Sequence, residues 1–213
     1  MQNHTKIHGF YKFKLIFILA LMSSLAPLST DMYLAALNRV QESFQTNPFF
    51  TQLSLASFFI AFAFGQLIYG PLSDTFGRKK PALIGMLIFI TSSFGCVVID
   101  NIYSFIILRF FEALGGCAGV VIARAIVNDL FDFEEAAGVY ALMMVFSSFA
   151  PMLLPTLGAF LIQHFPWQSI FAFLFLLGIF LFLMVLFGLK ESAPHLKKQK
   201  FSHKETLKTI ISS

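Results

Sequence analysis

From Ala136 to Leu189 the chain contains no Asp, Glu, Lys or Arg. A run of that length cannot supply the charged surface that a water-facing domain needs. Its one plausible turn is His164-Phe165-Pro166. The turn divides the run into two stretches, 136–162 and 167–189, each reaching the roughly 20 residues that cross a bilayer core as a helix. The same test finds apolar stretches at 15–38, 51–72, 81–99 and 103–123, with charged residues mostly between them. Only 12% of residues are charged, while Phe alone contributes 29. The expected fold class is an all-α membrane protein with a six-helix transmembrane bundle over residues 1–189. Residues 190–213 are expected to begin a basic cytoplasmic loop. The basic N-terminus and first apolar run resemble a signal peptide, but the run is too long and five more spans follow, so it reads as uncleaved.

Six spans put both termini on one side. Lys and Arg in the N-terminal segment, the 73–80 loop, the 124–135 loop and the tail number 3, 3, 1 and 6, against Arg39 alone on the other side. The positive-inside rule therefore predicts both termini in the cytoplasm. The net charge of +4 is accounted for by these flanking residues, so nucleic-acid binding is not expected. The tail from Lys190 reads as a solvated topology signal, with a specific anionic-lipid site as the alternative. Cys96 and Cys117 both lie in apolar stretches, as packing residues rather than a disulfide framework. No phosphate loop, zinc-protease helix or nucleophile elbow is present, and His4 and His8 lie in a polar segment where metal binding is not expected. The chain is read as neither an enzyme nor a cofactor or metal protein.

Three ionisable residues fall inside spans. Asp31 lies roughly 25 Å into the first, in the outer half of the membrane. An unpaired charge there costs on the order of 3 kcal/mol, so it should face a cavity or a partner. Ser24, Pro27, Asp31 and Ala35 recur at helical spacing and are expected to line a pathway. Arg109 lies at roughly the same depth in the fourth span, and an encounter with Asp31 is expected. Glu112 follows it about 60° around the helix, with Gly116, Gly119 and Ala123 continuing the stripe. These groups read as an ion or proton pathway; the alternative is that Arg109 and Glu112 form a buried pair that only fixes packing. Trp167 reads as an interfacial anchor.

The loop GQLIYGPLSDTFGRKK, Gly65 to Lys80, resembles the loop signature of the major facilitator superfamily, in its drug-proton antiporter branch related to bicyclomycin-resistance proteins. Gly70, Asp74, Gly77, Arg78 and Lys79 fall on the signature, while Thr75 stands where arginine is usual. The resemblance implies a cytoplasmic gate in which Asp74 meets the positive end of a helix in the other half of the carrier. The local alternative is that Asp74 caps free amides near Pro81. RFFEALGGCAG resembles the family's fourth-helix motif, with Arg109 on the arginine implicated in proton transfer and Glu112 in place of glutamine. TDMYLAAL is similar to its first-helix motif, with Asp31 as the acid and Ala35 in place of proline. APMLLPTLGA resembles the antiporter motif of the fifth helix through Pro151, Pro155 and Gly158, although a proline in a membrane helix is often only a kink.

The family's carriers have about twice as many spans, built as two halves around a central pathway, so the resemblance covers the N-terminal half. It implies proton-coupled efflux of drugs or small metabolites across a bacterial cytoplasmic membrane. The implied partners are protons, a small-molecule substrate, the lipid bilayer and a missing or separate C-terminal six-helix half. The alternative is a truncated, transport-inactive membrane protein, or a half-transporter subunit needing a partner.

Overall fold

The computed structural model describes residues 10–189, 191 and 192, except the side chains of residue 10 and of 146–155. The basic N-terminal segment, most of the tail, and the side chains of Pro151 and Pro155 lie outside the described residues. Six helices follow one another: α1 (Phe10–Ser43), α2 (Pro48–Phe76), α3 (Lys79–Val98), α4 (Ile102–Leu130), α5 (Phe133–His164) and α6 (Gln168–Gly188). Among the described residues α1, α2, α3, α4 and α6 are long and apolar enough to cross a membrane. Helix α5 runs 32 residues, with no charged residue beyond Glu135.

The helices start and stop for local reasons. Asn47 accepts a hydrogen bond from the Phe50 amide and is followed by Pro48, opening α2. Asn101 accepts from the Tyr103 and Ser104 amides and opens α4. Glu134 and Glu135 occupy the first turn of α5, where the helix dipole favours negative charge. Gly77, at φ +84°, makes the sharp break between α2 and α3 that a residue with a Cβ would resist. Helices α1, α2, α4 and α5 run past the apolar stretches expected for them, and the starts of α2 and α4 are set by the polar caps Asn47 and Asn101.

Helix α4 packs on α1, α2 and α3, while α1 also packs on α5 and α6, and α3 on α6. Lipid offers no hydrophobic drive for helix association, so close packing must supply it. At Gly115 of α4 a Cβ would come within 2.5 Å of the Phe89 amide nitrogen and 2.6 Å of the Gly85 carbonyl oxygen on α3. At Gly119 it would collide with the Met22 carbonyl of α1. The stripe Gly116, Gly119, Ala123, expected to line a pathway, is instead buried. Gly116 and Gly119 are the points where α4 reaches α1.

At the end of the bundle carrying the α5–α6 turn four aromatic rings cluster. Trp167 lies 5.5 Å from Phe44, 5.7 Å from Phe105 and 5.9 Å from Phe171 between ring centres. Trp167, read from the sequence as an interfacial anchor, is 6% exposed and packs among Phe44 of the α1–α2 turn, Phe105 of α4 and Phe171 of α6. Cys96 and Cys117 are both buried as free thiols.

Replacing Gly115 with Leu is expected to destabilise the bundle by about 2 kcal/mol or more, since the colliding atoms are backbone and cannot rotate away. Thermal unfolding in detergent, compared with Gly138→Leu where nothing stands within 4 Å, measures this.

Candidate functional site

Two polar centres are built into the apolar bundle, one at membrane depth and one at the end carrying the α2–α3 turn. The first is centred on Arg109 and Glu112, both fully buried. One turn apart on α4, they form an ion pair, with Nη1 of Arg109 2.8 Å from Oε2 of Glu112. Nη1 also donates to Oγ of Ser29 on α1 at 2.6 Å. Ser29 in turn donates to Oε1 of Glu112 at 2.9 Å, and Ser93 of α3 donates to the same oxygen at 3.2 Å. The guanidinium carbon lies 4.6 Å from the ring centre of Tyr33, 4.4 Å from Phe58 and 5.6 Å from Phe171. Nε and Nη2 have no acceptor, so attraction to the ring faces supplies what hydrogen bonds do not. Tyr33 is held in turn by a 2.6 Å hydrogen bond with Ser54 of α2. Residues of α1, α2, α3 and α6 thus converge on one ion pair of α4.

Asp31 is not among them. No hydrogen bond or ion pair joins it to Arg109 among the described residues, which corrects the expected encounter. Matched depth is not matched direction. Asp31 follows Ser29 by two positions, so the side chains lie about 160° apart around α1. Ser29 and Tyr33 face α4, whereas Asp31 is half-buried on the side that carries exposed Leu34 and Asn38. The Asp31 Oδ2 atom is covered and has no hydrogen-bond partner among the described residues. Beside it, Gly158 of α5 is buried, and a Cβ there would lie 3.2 Å from the Met32 carbonyl oxygen and 3.3 Å from Ala35 Cβ. Gly158 therefore lets α5 approach α1 at the level of Asp31.

The second centre is organised by Arg78. Its Nε lies 2.7 Å and its Nη2 3.1 Å from the two carboxylate oxygens of Asp129 at the end of α4. Nη1 donates to Ser73 Oγ at 2.7 Å and to Asp74. Burial works against the guanidinium charge, but Asp129 and Asp74 outweigh it and raise its pKa above the usual arginine value. The first amides of α3 are capped from beyond α6. Glu191 accepts from the Arg78 amide at 2.7 Å and the Lys79 amide at 3.2 Å. Lys79 Nζ reaches the Leu186 carbonyl at 2.8 Å, and Ser192 touches Asp129 at 3.4 Å. The local alternative for Asp74 is thereby corrected: it binds the Arg78 side chain and Glu191 serves as the cap. The Asp74 side chain remains 62% exposed. Gly70 has nothing within 4 Å of a Cβ position, so no contact within this bundle requires it.

Sequence patterning missed Asp129, Glu191, Ser29 and Ser93. Asp129 and Glu191 are single acids at span ends, with no spacing to tie them to Arg78. Ser29 and Ser93 are uncharged residues in apolar runs, and only the packing of α1 and α3 on α4 gives them a role.

The Major Facilitator Superfamily profile matches residues 19–212. The chain belongs to that superfamily. It is 36% identical over 204 residues to an uncharacterized MFS-type transporter, YdgK, of Bacillus subtilis strain 168, spanning 95% of this chain and 51% of that one. It is 31% identical over 180 residues to a bicyclomycin resistance protein homolog of Haemophilus influenzae, 84% of this chain and 45% of the relative. With the multidrug resistance protein MdtL of Escherichia coli O81 the identity is 31% over 170 residues, 80% and 44% of the two chains. The fold matches the proton:xylose symporter XylE bound to 6-bromo-6-deoxy-D-glucose with a TM-score of 0.77 at 15% identity, covering 85% of this chain and 45% of XylE. The chain thus spans about half the length of the relatives it matches. Superfamily membership makes it a multi-pass membrane protein from a family of transporters rather than enzymes.

Removing one partner of a buried pair strands the other. Glu112→Ala is therefore expected to lower stability by about 3–5 kcal/mol, read as a loss of folded protein and of thermal midpoint. The double replacement Arg109→Met with Glu112→Met should recover most of that loss. A single replacement as mild as the double one would show that the pair carries no packing role.

Proposed function

We propose that the chain is the N-terminal six-helix half of a proton-coupled efflux carrier for drugs or small metabolites, with Asp31 as the coupling acid. The observation that carries this reading is the Asp31 carboxylate, set at membrane depth on the partly exposed face of α1, with Oδ2 covered and unpartnered. A carboxylate so situated is stabilised by a proton or by a bound substrate group, and the two compete for it. In the proposed cycle Asp31 takes a proton from the outer side, a second six-helix half closes over the face of α1, and the proton leaves to the cytoplasm as substrate replaces it. Arg109 is already balanced by Glu112, so it enters the cycle by fixing α1 rather than by touching Asp31.

The bicyclomycin-resistance and multidrug-resistance names of the relatives support export as the direction. The helix bend and close packing implied for Pro151, Pro155 and Gly158 agree with it, and Gly158 is the point at which α5 nears α1. The second half would also meet the α2–α3 turn, where Asp74 keeps most of its side chain exposed. In this reading Gly70, Asp74, Gly77, Arg78 and Lys79 form a gate on the cytoplasmic side. Residues 1–189 form the membrane bundle and 190–213 the start of the linker. Without the second half the bundle presents one wall of a pathway and does not transport.

With a second half supplied and the carrier reconstituted, Asp31→Asn is expected to abolish uphill export on a pH gradient while membrane insertion is unchanged. Export at the parental rate would remove Asp31 from the mechanism. The cytoplasmic-membrane orientation with both termini inside rests on the distribution of basic residues. In intact bacterial cells an impermeant thiol reagent should modify a cysteine placed at Ser43 and spare one placed at Lys80. The reverse pattern would invert the topology.

A further inference from the structure

The two membrane-depth sites do not touch, yet both hang on one short piece of α1. Ser29 sits between Arg109 and Glu112, accepting from the first at 2.6 Å and donating to the second at 2.9 Å. Asp31 follows two residues later on the opposite side of the helix. Just before them, Pro27 lies inside α1 and has no amide to bond the carbonyl one turn back. Thr30 and Ser24 spend their hydroxyls on carbonyls of their own helix, those of Ala26 and Ala20, which favours bending. The outer part of α1 is therefore joined to the inner part through a weakened turn. That outer part carries both the Ser29 hydroxyl, bonded to the ion pair, and the Asp31 carboxylate, which has no partner among the described residues.

We propose that Ser29 is the positioning residue that couples Asp31 to the Arg109–Glu112 pair. This rests on the reading of Asp31 as the coupling acid. A change of charge at Asp31 that turns or tilts the outer part of α1 draws the Ser29 hydroxyl from its seat between guanidinium and carboxylate. Conversely, a firmly seated Ser29 holds Asp31 toward the exposed face. Such coupling is reciprocal. Ser93 provides the internal comparison. It donates to the same carboxylate oxygen as Ser29 but lies on α3, which does not carry Asp31.

The chain has its own reporter, since Trp167 is its only tryptophan. Trp167 stacks on Phe171 and Phe105. Phe171 flanks the guanidinium, and both phenylalanines pack against Tyr33, the other α1 residue at Arg109. In lipid nanodiscs, acrylamide quenching of Trp167 is measured with Asp or Asn at position 31, the latter imitating the uncharged acid. Each is combined with Ser29, Ser29→Ala and Ser93→Ala. Asp31→Asn should change the quenching constant roughly twofold in the Ser29 and Ser93→Ala backgrounds and leave it unchanged with Ser29→Ala. Where Ser29→Ala yields no folded protein, Ser29→Cys, of similar volume and a weaker donor, takes its place. A response that persists without Ser29, that vanishes equally with Ser93→Ala, or that is absent from every background overturns the proposal. Because no transport is measured, the coupling can fail while Asp31→Asn still abolishes export, and the reverse.

Discussion

A guanidinium with no route to water is the constraint on which the bundle turns. At membrane depth the charge of Arg109 cannot be left alone. Its neighbours are selected accordingly: a carboxylate one turn along the same helix, a hydroxyl from α1 and three ring faces from α1, α2 and α6. Each requirement brings a different helix to the same point. The order of packing around α4 is thus tied to an electrostatic need as well as to apolar contact. The remaining hydroxyl, Ser93 on α3, completes Glu112 rather than Arg109.

The second requirement is distance. A short hydroxyl such as Ser29 can reach Arg109 only if α1 lies very close to α4, and Gly116 and Gly119 make that approach possible on the two turns below the ion pair. Gly115 does the same for α3, bringing Ser93 within reach of Glu112. The small residues and the charged pair are therefore parts of one arrangement. A larger residue at either glycine would push the hydroxyls out of hydrogen-bonding range before it opened any cavity.

Much of the architecture was legible because membranes make hydrophobic length informative. The charge-free run from Ala136 to Leu189 could be divided into two spans from His164-Phe165-Pro166 alone, and Asn47, Asn101 and Gly77 mark helix ends by their own chemistry. Depth was legible too, since rise per residue is fixed. Direction was not. Asp31 and Arg109 were matched by depth, but which side of α1 meets α4 is decided by where the glycines of α4 allow approach, and neither sequence alone states that. The same limit hid Glu191, whose role as a cap depends on α6 ending beside α3. It also hid the aromatic partners of Trp167, which come from the α1–α2 turn, α4 and α6, far apart in the chain.

The two polar centres share a logic. At each, an arginine is committed to an acid of α4, the buried Glu112 for Arg109 and the partly buried Asp129 at the helix end for Arg78. Each also leaves a second acid, Asp31 or Asp74, nearer the exposed face. At the α2–α3 turn the second acid still touches the arginine, because Asp74 lies one helical turn before Arg78. At membrane depth the second acid has lost that contact, since Glu112, where the resembled motif has an amide, already supplies the charge that Arg109 needs. An amide there would leave Arg109 with an uncompensated charge and a reason to draw α1 around toward Asp31. With the carboxylate in place no direct contact joins Asp31 to Arg109 among the described residues, and the coupling proposed between them runs through the backbone of α1 and the hydroxyl of Ser29.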